Sequence, residues 1–502
     1  MKRNNIIYNL ANKMISSYIL LFIINIITYN QIINSYLIFP LEYLPDKNYQ
    51  FIKDNNIKQN IPEEIIQQIY YKNLITKLEI GTPLKAIPLL IETNNEKFSL
   101  LSFNYSVQMN EKAKELNFYK FSENDFYNES LSYTNINNTC EQSKFYPYNE
   151  ICKSKDIINF NINNTYFKKE FPFKVIKKSD ENIPGYIGLL YNDSNYEYTK
   201  GFITELKANK LINNYYWFFN FNEFSPLDKK LKAQFIVGGL PHEIFPNKYS
   251  SDDFETTSSA EISLSGKAWR LNLNKIYIDN QQDKIITINN KVMTFNYEIY
   301  NIISSMEFHF EIRDLLMDNL VKEGKCFSNS FSQNLYSSFN LTFYYCNKSA
   351  KDILYEKLPN IKFSCIELDY IFELTFEELF YEKDDYIYFM ILFTKYESNT
   401  HWIMGQIFTS KYNFVFNSDL KQIGFYKKVA HDNNDGDKDI NPGNDEGKDN
   451  KKDDNNKYEN NQKISTVLII IIVAIGIALV FTIVGLVLGK KIFGWRRKII
   501  AN

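Results

Sequence analysis

Histidine is scarce in this chain. There are four in 502 residues, His242, His309, His401 and His431. They are scattered rather than set at metal-ligand spacing, so no metal centre is expected. An excess of one charge is also lacking: Lys and Arg number 57 against 59 Asp and Glu, a net charge of -2. That balance gives no electrostatic reason to expect a nucleic-acid partner. The G-x-S-x-G elbow, the P-loop and the dinucleotide fingerprint are all missing. Ser, His and Asp fall into no pattern that singles out a triad, and no cofactor is implied. Long amphipathic helices with clear caps are missing from 70–262 as well, apart from the short Thr199–Leu211.

What the chain does have is length, a hydrophobic content of 44%, 37 Tyr and 40 Phe. That is enough for a large core, read as two lobes plus extensions. Over 70–262 short aromatic and alternating segments recur, separated by Gly or Asn-Asn turns, which predicts all-β architecture.

Two apolar runs bear on location. Met14–Ile27 follows Lys2, Arg3 and Lys13, the layout of a secretory signal; no clear small-residue cleavage site follows, so an uncleaved anchor stays open. Ile464–Leu488 is uncharged and long enough to cross roughly 30 Å of hydrocarbon as a helix. Lys490, Lys491, Trp495, Arg496, Arg497 and Lys498 follow it and mark its cytoplasmic end. The expected order is a signal peptide or anchor at 1–28, a lead-in at 29–69, an N-terminal β lobe at 70–262 and a C-terminal β lobe at 263–428. A polar stalk at 429–463, too poor in apolar residues to fold, a membrane helix at 464–489 and a basic cytoplasmic tail at 490–502 complete it. The ectodomain is then lumenal or extracellular. Five cysteines suit that oxidising setting. Cys140 and Cys152 can close a small loop. Among Cys326, Cys346 and Cys365 only one pair can form; Cys326–Cys346 is favoured, with Cys365 a buried thiol, and the spacing alone does not settle that connectivity. Sequons at Asn104, Asn128, Asn137, Asn163, Asn192, Asn340 and Asn347 allow glycosylation.

The stretch on which a functional reading turns is Ile80–Asn104, IGTPLKAIPLLIETNNEKFSLLSFN. A Gly81-Thr82-Pro83 turn leads into an apolar run and a polar elbow, Glu92-Thr93-Asn94, which can present a carboxylate at the end of a buried strand. This layout resembles the first active-site motif of the pepsin-like aspartic peptidases, in which IGTP and an apolar strand lead to Asp-Thr-Gly. Further pieces resemble that family in order: PGYIGLLY at Pro184–Tyr191, the helix and strand of Thr199–Phe221, FIVGGL at Phe235–Leu240, the Trp-led strand Trp269–Ile278, LPNIKF at Leu358–Phe363, HWIMGQIF at His401–Phe408 and the closing hairpin Lys411–Tyr426. The resemblance implies a bilobal double barrel with a central cleft that takes a peptide or protein, plus the one C-terminal transmembrane helix. It also makes 29–69 either a propeptide or a simple linker.

In that family each lobe supplies one Asp, and the pair shares a proton because two carboxylates about 3 Å apart cannot both stay ionised. Here Glu92 stands at the first position, its extra methylene displacing the carboxyl by roughly an ångström. Counting from Trp269 puts Thr294-Phe295-Asn296 at the second, and Thr294 carries no acid. Glu298, four residues on, is set aside because using it breaks the Trp269 spacing. Thr93, Asn94, Phe295 and Asn296 are expected to line the cleft. Tyr146 and Tyr148, within the glycine-free Glu141–Cys152, are the candidates to lean over it. The expectation is an impaired peptidase homologue whose cleft binds an extended chain; the alternative is an active aspartic-type endopeptidase with an unusual dyad.

Overall fold

The structure is a computed structural model. It describes residues 36–43, 74–93, 98–102, 123–142, 148–162, 165–179, 183–190, 201–223, 232–257, 269–279, 284–333, 339–394 and 401–427. The expected signal segment, stalk, membrane helix and tail lie outside these residues, as do Asn94 and Tyr146. Among the described residues no helix is long and apolar enough to cross a membrane.

The architecture is all-β with short helices, built on a thirteen-stranded and an eleven-stranded sheet. In the first sheet, β1 (Leu37–Tyr43), β2 (Leu74–Ile80) and β3 (Lys85–Glu92) lie side by side. The sequence LITKLEI of β2 alternates, and its last four residues alternate between exposed and buried, as a sheet with one wet face requires. The last six residues of β3, IPLLIE, are all buried, which is why that strand reads as a continuous apolar run. Next to β3, and parallel to it, runs Gly185–Gly188, pairing Glu92 with Gly188; β4 (Phe98–Leu101) lies antiparallel on the far side.

The second sheet repeats this arrangement. Lys284–Phe295 runs parallel to His401–Met404, pairing Phe295 with Met404, and Ile302–Ser304 crosses antiparallel with Ile303 opposite Ile403.

Two expected boundaries change. Residues 37–43 of the lead-in form a strand of the first sheet, between β2 and Lys232–Val237. The closing hairpin also leaves the expected C-terminal lobe. Val415–Asn417 pairs with Tyr216–Glu223, and Gln422–Tyr426 pairs with Phe254–Thr256, so both belong to the first sheet. The pattern of apolar residues predicts that such segments are strands, but not which sheet accepts them.

One apolar cluster runs through both sheets. Its seam is aromatic: Trp217 lies 4.2 Å from Phe416 and 6.1 Å from Trp269, and Phe295 lies 5.6 Å from Phe416. Cys140–Cys152 and Cys326–Cys346 are both bridged across paired strands, and Cys365 is a buried free thiol. Burial pushes that thiol far above its usual range, which makes it a poor nucleophile.

Candidate functional site

Two strand ends meet over this seam. Glu92 is the last residue of β3 and is buried, as is Thr93 after it. The first elbow is fixed from below by a close backbone approach. A Cβ on Gly185 would meet the Ser99 carbonyl and the Leu89 side chain at 2.6 Å each, so only glycine lets that strand pass.

The second strand ends at Phe295. Asn296 follows, its amide donating to the Met404 carbonyl at 3.0 Å. Its side-chain oxygen accepts the Glu298 amide at 2.7 Å, an Asx-type turn that Asn forms readily. The turn sends Glu298 back toward the first sheet, where its Oε1 accepts the backbone N–H of Thr93 at 3.2 Å, across 205 residues of sequence.

The helix Gln406–Tyr412 clamps the same turn. The Gln406 amide donates to Ile299 O at 2.9 Å and the Ile407 amide to Tyr300 O at 3.0 Å. The Gln406 side chain, fully buried, donates to Tyr297 O at 2.7 Å. Tyr297 is sunk into the seam, its ring 4.2 Å from that of Phe219. Backbone carbonyls of Ile299, Tyr300 and Asn301 press against Gly405, where a Cβ would come within 2.1 Å of an oxygen.

The consequence is electrostatic. Removal from water, then the nearby charge of Glu92, raise the Glu298 carboxyl from its ordinary 4.5 to about 8, and the Thr93 N–H offsets only part of this. Charged carboxylates that lose solvent and face a like charge take up a proton. Glu298, which keeps some exposure at the turn, therefore holds a proton more tightly than a lone carboxyl does, because of its lost solvent and the charge of Glu92. Two carboxyls that share a proton are an arrangement suited to hydrolysis.

The sequence-derived mate of Glu92 is displaced. Thr294 is buried, but its hydroxyl donates to the Trp402 carbonyl at 3.0 Å within the second sheet. Pairing shows the register: Glu92 stands opposite Gly188, whereas Phe295 stands opposite Met404, one residue short of Gly405. Measured from these two glycines, Asn296 occupies the place of Glu92, two residues later than the Trp269 count gives. Phe295, expected in the cleft, is a core residue 1% exposed, with Phe414 4.6 Å away. Thr93 is buried beside Glu92, and Asn296 keeps some exposure. Tyr148 opens the Tyr148–Ile162 strand. Glu298 was legible as a carboxyl following an Asn-initiated turn, had the count started from Gly405 rather than Trp269.

No protein-family model matches the chain, and among curated proteins no significant match is found.

Proposed function

We propose that the protein is a membrane-anchored homologue of the pepsin-like aspartic peptidases, a bilobal double barrel whose cleft takes an extended peptide, and that Glu92 and Glu298 are its two working carboxyls. The supporting observation is the pair itself: two carboxyls from different sheets, close enough for the charge of one to hold a proton on the other. In this reading Glu92 accepts a proton from the attacking water while the protonated Glu298 polarises the scissile carbonyl, the shared-proton division of labour that such a pair allows. The lack of an acid at Thr294 then removes nothing, because its hydroxyl is engaged with Trp402 O and Asn296 holds the place symmetric to Glu92. The ectodomain is lumenal or extracellular, and Ile464–Leu488 anchors it with the C-terminus in the cytoplasm.

A second reading, peptide binding without cleavage, is favoured by a different observation. Asn296 holds the place symmetric to Glu92, and Glu298 spends one oxygen on the Thr93 amide. The two part in one assay. The ectodomain is incubated with denatured protein from pH 3 to 9, with and without a statine-type transition-state mimic. The proposal expects cleavage blocked by the mimic, falling as pH rises past about 8 and lost in both Glu92→Ala and Glu298→Gln. Tight peptide binding with no cleavage by the folded wild type would leave the second reading standing.

A further inference from the structure

We infer that Leu37–Tyr43 is a permanent strand of the folded protein rather than a removable leader, and that its Tyr43 end supports the turn carrying Glu298. The strand sits inside the first sheet, not at its edge. Leu37–Leu41 pair residue by residue with Val237–Ala233, and Glu42 and Tyr43 pair with Ile75 and Leu74 on the other side. Leu37, Phe39 and Leu41 are buried in the main core. Phe39 lies 5.6 Å from Phe235 and 5.8 Å from Phe202. Polar ties add to this: the Thr76 hydroxyl donates to Pro40 O at 2.8 Å, and Lys77 pairs with Glu42 at 2.9 Å. Withdrawing the strand would unpair one edge of Lys232–Val237 along most of its length, free the backbone groups of Leu74 and Ile75, and open a face of the core at once.

The strand also reaches the site. The Tyr43 hydroxyl donates to Gln406 Oε1 at 3.4 Å, and the other end of the same amide holds Tyr297 O, the residue before Glu298. Burial raises the phenol of Tyr300, on the same turn, and the nearby Tyr43 and Tyr381 raise it further; Glu298 itself faces Glu92 and the Thr93 amide. A polypeptide cut anywhere in 44–73 would therefore leave its N-terminal piece bound, and the piece would hold the acid turn in place rather than block it. The retention is independent of the peptidase reading; the support of Glu298 rests on it.

The test places a recognition sequence for a specific protease between Lys47 and Asn48, and in a second variant between Asn60 and Ile61, so that one failed insertion does not end the experiment. After cutting, the fragment ending near Lys47 is expected to co-elute with the remainder on native size exclusion and to separate only in denaturant. Separation in native buffer, leaving a remainder that melts at the uncut temperature, overturns the inference whatever the activity. Tyr43→Phe is expected to leave retention unchanged in the cut variants, while in the intact chain it moves the pH at which the melting temperature begins to fall. An unmoved pH would overturn the support of Glu298 alone.

Discussion

The two strand ends that build the site follow the same plan and solve it differently. Each closes a strand running parallel to a short neighbour, one ending at Gly188 and the other at Met404, just before Gly405. The first places its carboxyl at the strand end itself, as Glu92. The second places an amide there, as Asn296, and uses that amide to turn the chain so that a carboxyl two residues later reaches across. The difference teaches that a pair of acids is a property of the meeting point, not of matched positions in two motifs. An Asx turn moves a functional group farther than a conservative substitution at a fixed position does. Under the proposed peptidase reading it also accommodates the longer side chain of Glu92, because Glu298 approaches from a different place than a symmetric mate at Asn296 would.

The comparison breaks most severely at the glycine beneath the second turn. In Gly405→Ala the new Cβ would lie 2.1 Å from Asn301 O and 2.7 Å from the carbonyls of Ile299 and Tyr300. All three are backbone atoms, and those of Ile299 and Tyr300 are held by the Gln406 and Ile407 amides, so they cannot yield as a side chain would. Overpacking of this kind costs roughly 3 kcal/mol or more. The expected outcome is a chain that unfolds at markedly lower denaturant or is not recovered folded. A Gly405→Ala protein with wild-type stability would mean that the turn bearing Glu298 is looser than described.

The next effect is smaller and has a sign. The carboxyl of Glu298 is raised in the folded state from 4.5 to about 8, so between those values the native protein binds more protons than the unfolded chain. Its contribution is fully present below about 4.5 and is lost as pH rises through about 8. Stability therefore falls with rising pH, by at most about 1.4 kcal/mol per unit for the single proton involved. Denaturant melts of the ectodomain at pH 5, 6, 7 and 8 measure the slope, and Glu298→Gln, neutral at every pH, is expected to flatten it. A slope unchanged by that substitution would separate Glu298 from Glu92 and sink the pair.

Much of the fold was legible because it depends on local pattern. The alternation of LITKLEI, the apolar run of β3 and the cysteine spacings are printed in neighbouring residues. The strand assignments and the Cys140–Cys152 bridge follow from them, whereas the choice of Cys346 over Cys365 as the mate of Cys326 is fixed by strand pairing. The candidate site was half legible for the same reason. Glu92 ends a run that any reading of periodicity finds. Its partner depends on where Lys284–Phe295 stops relative to Gly405, a register that only the pairing with His401–Met404 fixes, and on a side-chain turn at Asn296. A strand count taken from Trp269 slips by two, and in a strand a slip of two keeps every side chain on its own face. The pattern of apolar residues therefore raised no objection. The sheet that takes the lead-in strand and the closing hairpin is not legible locally, because each depends on a partner far along the chain, Lys232–Val237 for the first and Tyr216–Glu223 for the second.

The finest way to sharpen the comparison is the residue that the Trp269 count selects. Thr294 gives its hydroxyl to Trp402 O inside the second sheet, and valine matches its shape while removing only that donor. Losing one buried hydrogen bond costs on the order of 1 kcal/mol, somewhat more if the carbonyl left behind finds no other donor. Thr294→Val is thus expected to lower the denaturation midpoint slightly while leaving the pH dependence of stability and any cleavage untouched. Under the alternative register Thr294 faces Glu92, and its loss would alter the pH profile as Glu298→Gln does. The two substitutions measured together decide which residue of the second sheet stands against Glu92, since only one of them can carry the pH-dependent effect.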